Sequence, residues 1–156
     1  MKYLSGKDKK KLIQDIGEYY SINKKDEIIE FENILFKNKE PFLIDGKSLK
    51  NYSSNLKVEY IPHLKSYEIS NLKKVTIDVG AVPFLLKGAD MMRPGVVHID
   101  DEIELNELLV IVDEVKGLKI GIGQSMYSSQ DMKSMQSGKV IKTLHYFKDS
   151  LYDISL

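Results

Sequence analysis

The chain has 156 residues, of which 42% are hydrophobic and 29% are charged, and it contains no cysteine. This composition is typical of one or two small globular domains rather than of a disordered chain. The lack of cysteine excludes a disulfide framework, a cysteine-ligated zinc site and thiol catalysis. The longest apolar run, Leu108–Val112, is far shorter than the roughly 20 residues that span a bilayer. Since the N-terminus also lacks the pattern of a signal peptide, we expect a soluble, cytoplasmic protein.

The formal net charge is zero, with 23 basic and 23 acidic residues, but the charges are unevenly distributed. Residues 1–73 contain 14 lysines and 11 acids, whereas residues 74–156 contain 9 basic residues and 12 acids. Seven of these 12 acids lie between His98 and Glu114, in a stretch without lysine or arginine. The remainder of the chain is therefore basic, and zero net charge does not exclude a polyanionic partner.

Hydrophobic periodicity in the first half predicts a small α/β unit. Ser5 and Asp8 form a variant of the capping box at the start of a helical pattern. The pair Asp45-Gly46 is a turn signal that ends a strand. Because the core of this unit is thin, we expect it to depend on packing against the second half. The predicted elements are a helix over 7–20 and strands over 28–35, 42–44 and 58–61.

The sequence pattern changes at Lys73-Lys74. From there on, short strands, tight turns and two brief helices predict a small closed or nearly closed β-barrel. The apolar run Leu108–Val112 is typical of a strand that is buried on both faces. We predict two domains, residues 1–73 and residues 74–156, that meet in a packed boundary. The predicted elements of the second domain are strands over 75–79, 108–112, 119–123, 140–141 and 144–147, with short helices over 81–87 and 129–135.

No catalytic site can be assembled from the sequence. The histidines His63, His98 and His145 lie in separate segments without the paired spacing of a metal site, so we expect them on the surface or in strand packing. The acidic segment 98–114 lacks the glycine turn and the spacing of a calcium loop, and we expect it to be solvated. Gly121-Ile122-Gly123 lacks the rest of a nucleotide-binding motif. We therefore expect no enzyme activity, no metal and no cofactor.

Residues 80–89 contain the end of a strand, a short helix and the turn that follows it, with Gly80 before the helix and Gly88 after it. The start of such a helix is expected to present free backbone N–H groups that suit a phosphate. Arg93, the single arginine of the chain, follows closely, and a guanidinium group can bind phosphate bidentately or stack on a base. The alternative is that the glycines and Pro94 only shape turns and that Arg93 is a surface salt-bridge residue. Spacing alone leaves both interpretations open.

The stretch Thr76–Val96, TIDVGAVPFLLKGADMMRPGV, closely resembles the opening of a PUA domain, the RNA-binding module named for pseudouridine synthases and archaeosine transglycosylases. The chain as a whole resembles the stand-alone PUA proteins related to the malignant T-cell amplified sequence family and to ligatin, especially their archaeal members. In the first half, Pro41–Lys47 and Ile61–Leu64 are similar to the pre-PUA domain of those proteins. The resemblance continues through residues 107–112, 120–123, 129–132, 138–140 and 145–149.

This resemblance implies an α+β fold in which a small α/β pre-PUA domain packs on a C-terminal PUA β-pseudobarrel. It also implies a groove for RNA between the first short helix, with its following loop, and a late strand. In this mapping Lys87, Arg93 and Lys139 meet phosphates, while Phe84 and Met92 support the groove from below. The implied RNA-binding residues are Gly80, Ala81, Phe84, Lys87, Gly88, Ala89, Met92, Arg93, Pro94, Gly95, Lys139 and Lys142.

The resemblance further implies a non-catalytic RNA-binding role in translation, of an initiation or recycling type. The expected partners are the acceptor end of tRNA or ribosomal RNA, with the small ribosomal subunit and a second translation factor. Tyr152 stands where the family often has tryptophan, and we expect this chain to lack the start-codon-selection domain of ligatin. Two alternatives stay open, namely a protein-interaction adaptor that docks through the acidic segment 98–114 and an accessory subunit that presents RNA to a modification enzyme.

Overall fold

The structure is a computed structural model that describes residues 1–16, 20–56 and 58–156. In the first half, five short antiparallel strands form one sheet in chain order, and the apolar side of a helix packs against the second to fourth strands. None of the helices in the described residues is long and apolar enough to cross a membrane. The elements are β1 (Lys2–Tyr3), α1 (Gly6–Ile16), β2 (Ile28–Phe31), β3 (Ile34–Lys37), β4 (Glu40–Asp45) and β5 (Tyr60–Pro62).

The helix α1 begins with the cap that the sequence predicts. The hydroxyl Oγ of Ser5 accepts a hydrogen bond of 3.1 Å from the backbone N–H of Asp8. The last part of the predicted helix, residues 17–19, lies outside the described residues. Tyr20 is described and is not helical; its ring packs edge-to-face against Phe42 at 6.2 Å.

The prediction of a single strand over residues 28–35 was wrong, because two strands and a tight turn occupy this region. Glu32 and Asn33 connect β2 to β3 with φ angles of 52° and 66°. Asn38 and Lys39 connect β3 to β4 in the same way, with φ angles of 51° and 72°. Two successive positive φ angles are those of a type I′ hairpin turn, which usually contains glycine. Because these turns contain no glycine, the sequence shows no turn signal at Glu32-Asn33. The alternation of apolar and polar residues therefore predicted one continuous strand.

In the second half, six strands form a nearly closed pseudobarrel, which confirms the predicted α+β fold with a C-terminal barrel. The last strand is continuous, whereas the sequence predicted two shorter ones. The elements are β6 (Lys73–Ile77), α2 (Val82–Leu85), β7 (Met91–Met92), β8 (Val96–Ile99), β9 (Leu108–Asp113), β10 (Lys119–Ser125), α3 (Ser129–Ser134) and β11 (Lys139–Tyr146). The strand order is β7-β11-β10-β9-β6-β8. The division into two domains at residue 73 stays a prediction.

Strand β9 separates two apolar cores. Leu108, Val110 and Val112 pack with side chains of the first sheet, whereas Leu109 and Ile111 face the interior of the barrel. Successive side chains of a strand point to opposite faces, so every position from 108 to 112 is buried in one core or the other. This confirms the prediction that the run is buried on both faces, and it explains how the first sheet packs on the barrel.

Two histidines from different halves meet where the sheets pack together. The rings of His63 and His145 are 4.9 Å apart between centroids, and both side chains are fully buried. His145 donates from Nδ1 to Oδ2 of Asp149 at 2.7 Å. The third histidine, His98, is exposed and lies beside Asp100. The sequence placed these histidines in separate segments and gave no sign that two of them are neighbours.

Candidate functional site

A groove of about 900 Å³ runs between the first half of the chain and the edge of the barrel. One wall is formed by the end of α2 and the loop that follows it, and β11 forms the floor. The opposite wall comes from the first half of the chain and from the C-terminal turn. The lining residues are Asn33, 48–51, Phe84, 87–90, Met92, Lys139, Thr143, Leu144, Tyr146 and 149–151.

Gly88 determines how closely the loop after α2 approaches β11. Its φ angle of +86° is left-handed, and a Cβ atom there would lie 3.2 Å from Cε1 of Tyr146. A side chain at this position would therefore be strained and would also press on the ring. Thr143 then holds the loop by two hydrogen bonds, from its hydroxyl to the carbonyl of Ala89 at 2.8 Å and from its N–H to Oδ1 of Asp90 at 3.0 Å.

The wall from the first half is tied to the same strand. The side chain of Asn51 donates from Nδ2 to the carbonyl of Thr143 at 2.9 Å. The segment starts at a 3₁₀ turn, Gly46–Ser48, in which Asp45 accepts a bond of 3.0 Å from the N–H of Lys47. Thr143 is therefore bonded on one side to the loop after α2 and on the other to the first half of the chain.

Among the residues that the structure describes, three lysines line the groove. Lys50 and Lys87 are exposed and form no ion pair with any of the residues that the structure describes. Lys139 forms an ion pair of 3.7 Å between its Nζ and Oδ2 of Asp90. The three come from three different chain segments, so the fold itself gathers this positive charge.

The other carboxylate of the groove, Asp149, is fully occupied. Its oxygens accept hydrogen bonds from Nδ1 of His145 and from the backbone N–H groups of Tyr146, Leu151 and Tyr152, all between 2.7 and 3.0 Å. Burial acts to raise the pKa of Asp149, but these hydrogen bonds, with that of His145 foremost, hold it below its usual value. Asp149 therefore anchors the C-terminal turn and has little capacity left for a ligand.

Phe84 and Met92 line the groove with exposed side chains. Their exposed fractions are 62% and 47%, while Leu85 between them in the chain is fully buried in the barrel core. The expectation that they support the groove from below was therefore wrong. An exposed aromatic ring beside lysines offers a stacking surface for a base.

Arg93 lies outside the groove. Its guanidinium donates from Nε to the carbonyl of Met132 at 2.7 Å and from Nη1 to the carbonyl of Val96 at 2.9 Å. Instead of the groove it lines a separate depression beside Asp101 and Lys133. Arg93 therefore connects α3 to the start of β8.

The N–H groups just before α2 are bonded to carboxylates, although no side chain caps the helix itself. The N–H of Ala81 donates to Oδ1 of Asp78 at 2.8 Å, and the N–H of Val79 donates to Oε1 of Glu114 at 3.3 Å. Two carboxylates at this position repel a phosphate. Two of the chain's own acids thus lie beside the start of the helix.

Of the twelve residues implied by the resemblance, six line the groove and six do not. Those that line it are Phe84, Lys87, Gly88, Ala89, Met92 and Lys139. Those that do not are Gly80, Ala81, Arg93, Pro94, Gly95 and Lys142. Gly95 has a packing role, since a Cβ there would meet Cβ of Ala81 at 3.0 Å.

Sequence reasoning missed Lys50, Asn51, Asp90, Thr143 and Tyr146. Asp90 stands inside the quoted motif, directly after the glycine turn, and its position was a usable signal. Asn51 belongs to a polar segment that the sequence marks as a loop, but its bond to Thr143 spans 92 positions of the chain. Periodicity gives no information on such distant pairs.

Comparisons with known proteins identify the class of protein to which this chain belongs. The family model described as "PUA domain" matches residues 73–147. An uncharacterized protein of Methanocaldococcus jannaschii is 34% identical over 165 residues, which span 97% of this chain and 94% of that protein. The crystal structure of a hypothetical protein from Pyrococcus horikoshii OT3 superimposes with a TM-score of 0.74 at 29% identity and covers 99% of both chains.

The chain belongs to the family of PUA-domain proteins that includes this Methanocaldococcus protein. Translation machinery-associated protein 20 of Schizosaccharomyces pombe is 35% identical over 83 residues, which span 51% of this chain and 46% of that protein. The relatives also include a malignant T-cell-amplified sequence 1 homolog of Dictyostelium discoideum, 28% identical over 52% of this chain and 47% of that protein. The match therefore covers about half of each of these two eukaryotic relatives.

Proposed function

We propose that this protein is a non-catalytic RNA-binding protein of the translation apparatus and that the groove is its RNA site. The observation that carries the proposal is the convergence of Lys50, Lys87 and Lys139 on one groove beside the exposed ring of Phe84. Lysines contact phosphates, and an aromatic face stacks on a base without regard to sequence. The PUA domain and the translation-associated relatives support the same assignment.

The proposed ligand is a structured RNA of translation, either the acceptor end of a tRNA or a segment of ribosomal RNA. Three lysines imply about three phosphate contacts, so binding should be modest and should weaken steeply with salt. Recognition must then depend on the shape of the groove more than on its charge. The small ribosomal subunit and a second translation factor are the proposed partners in the same process.

A measurement of tRNA affinity tests the proposal. The affinity of a tRNA mixture is measured across a salt series for the wild type and for a variant with Lys50, Lys87 and Lys139 changed to Gln. The matched control changes Lys11, Lys25 and Lys116, which are exposed and do not line the groove. We expect the groove variant to bind at least about tenfold more weakly and to lose two to three units of salt slope, each neutralised phosphate contributing about 0.9.

Equal affinity of the groove variant and the control would contradict the proposal. If the groove variant does bind more weakly, sedimentation with isolated small ribosomal subunits distinguishes the two proposed ligands, tRNA and ribosomal RNA. Co-sedimentation that depends on the three groove lysines supports a ribosomal site. Binding to tRNA without co-sedimentation supports the acceptor end of tRNA as the ligand.

The alternative of docking through the acidic segment 98–114 has less support. Asp101 forms an ion pair with Lys133, Glu107 forms one with Lys73, and Asp100 accepts a bond of 2.7 Å from the N–H of Lys74. Asp113 and Glu114 also accept backbone N–H groups, so five of the seven acids are bound to the protein itself. A pulldown of partner proteins that survives nuclease digestion would favour this alternative over RNA binding.

A further inference from the structure

The groove is not uniformly cationic, because one carboxylate lies among its lysines with an acceptor position still available. Oδ1 of Asp90 accepts the N–H of Thr143 at 3.0 Å. Oδ2 forms the ion pair of 3.7 Å with Lys139 and accepts no hydrogen bond from the residues that the structure describes. The side chain is 20% exposed and lines the groove.

The orientation of this carboxylate is fixed before any ligand arrives. The bond from the Thr143 N–H and the bond from the Thr143 hydroxyl to Ala89 hold the segment 89–90 against β11. The other carboxylate of the groove, Asp149, is saturated by four donors. Asp90 is therefore the groove carboxylate with a free, oriented acceptor.

A carboxylate at this position discriminates between the parts of a nucleotide. It repels a phosphate, whereas Lys50, Lys87 and Lys139 attract one. It accepts a strong, charge-assisted hydrogen bond from a neutral donor. An adenylate within an RNA strand carries such donors in two places, the 2′-hydroxyl of the ribose and the exocyclic amino group of the base.

We propose that Asp90 accepts a hydrogen bond from a neutral donor of a bound nucleotide while the neighbouring lysines contact the adjacent phosphates. Asp90 is thus a specificity-determining residue, which lets the groove select nucleotides by their donors in addition to binding polyanions. This inference rests on the proposed function that the groove binds RNA. The two sources of the donor, ribose and base, are separated by the test.

Three matched probes carry out the test, each a fluorescent single strand of ten nucleotides. The first is oligoadenylate, and the second is its 2′-deoxy form, which lacks the ribose hydroxyl. In the third, purine replaces every adenine, so that the 6-amino group is missing while the ribose is intact. Affinities are measured for the wild type, for Asp90→Asn and for Asp131→Asn.

Asp90→Asn keeps an oxygen that can accept the Thr143 N–H and removes the negative charge. Asp131→Asn is the matched control, because Asp131 is exposed on α3 and does not line the groove, so it changes the net charge equally. We expect the wild type and the control to prefer oligoadenylate over one of the other probes by about five- to tenfold, as for a charge-assisted bond. We expect Asp90→Asn to reduce this preference below about twofold, while the probe without the donor binds as well as before or better, since an anion has been removed.

Loss of a preference over the 2′-deoxy probe assigns the ribose hydroxyl to Asp90, and loss of a preference over the purine probe assigns the amino group. Binding of all three probes by the wild type within twofold overturns the inference, and this comparison needs no variant to fold. A preference that Asp90→Asn retains overturns it as well. Failure to bind any probe also contradicts the inference, and the separate tRNA measurement then decides whether the proposed function falls with it.

Discussion

The backbone N–H of Leu64 donates a hydrogen bond of 3.2 Å to Nε2 of His145 in the interior of the protein. Because Nε2 is an acceptor, the ring proton is on Nδ1, where it is donated to Asp149. His63, beside it, accepts the N–H of Lys65 at Nδ1 and faces the carbonyl of Leu151 with Nε2. The packing of the first sheet on the barrel thus includes two neutral imidazoles with fixed tautomers.

This arrangement predicts that stability falls in mild acid. Burial, the largest cause, lowers the pKa of His63 from 6.5 to about 4. The unfolded chain binds a proton at His63 near pH 6.5 and the folded protein does not, so this contribution is complete above pH 6.5 and is lost progressively toward pH 4. The loss amounts to at most about 3–4 kcal/mol, at roughly 1.4 kcal/mol per pKa unit. Urea unfolding at a series of pH values between 7.5 and 4.5 measures it.

Matched histidine variants separate this effect from other titrations. His98→Gln removes an exposed histidine and should keep the pH dependence of the wild type. His63→Gln should be less stable at pH 7.5 and should lose less free energy of unfolding between pH 6.5 and pH 4.5. Equal slopes for the two variants would contradict the assignment to His63.

A second prediction concerns Arg93, whose guanidinium bonds the carbonyls of Met132 and Val96. Arg93→Ala removes both of these hydrogen bonds and leaves the carbonyl of Met132 with the N–H of Met135 alone. We therefore expect a loss of about 1.5–3 kcal/mol in the free energy of unfolding. Since Arg93 does not line the groove, the tRNA affinity of the folded variant should change by less than about twofold. This is less than the loss of affinity expected when one phosphate contact is removed. The affinity is measured at a temperature where the variant is folded. A tenfold loss of affinity with unchanged stability would return Arg93 to the RNA site.

Gly88 gives a third prediction, on how the groove is built. Gly88→Ala combines a left-handed φ of +86° with a Cβ that meets the ring of Tyr146, and we expect it to cost about 1–3 kcal/mol. Gly117→Ala is the control, because its φ is +69° and nothing lies within 4 Å of the added Cβ. It should cost only about 1 kcal/mol. Thermal unfolding compares the two, and a smaller loss for Gly88→Ala than for Gly117→Ala would contradict this account.

The sequence was informative where a local rule applied. The Ser5 cap, the buried run Leu108–Val112 and the barrel with its PUA motif all follow from spacing or from recognisable residues. It failed where the determinant is distant in the chain. Lys50 reaches the groove only because the first sheet packs on β11, and Arg93 is drawn away from the groove by the carbonyl of Met132, 39 positions later. A motif locates a site, but long-range hydrogen bonds decide which of its side chains face the ligand.

The last prediction tests the part of the groove that the PUA domain does not supply. Lys50 lies in the segment 48–51, which is tied to β11 through Asn51, and it forms no ion pair in the described part of the chain. We expect Lys50→Gln to weaken tRNA binding by about two- to tenfold and to reduce the salt slope by about one, as for the loss of one phosphate contact. The control is Lys47→Gln, three residues earlier, where the lysine pairs with Glu59 at 3.9 Å and does not line the groove. If both variants bind like the wild type across the salt series, the first half of the chain contributes no charge to RNA binding.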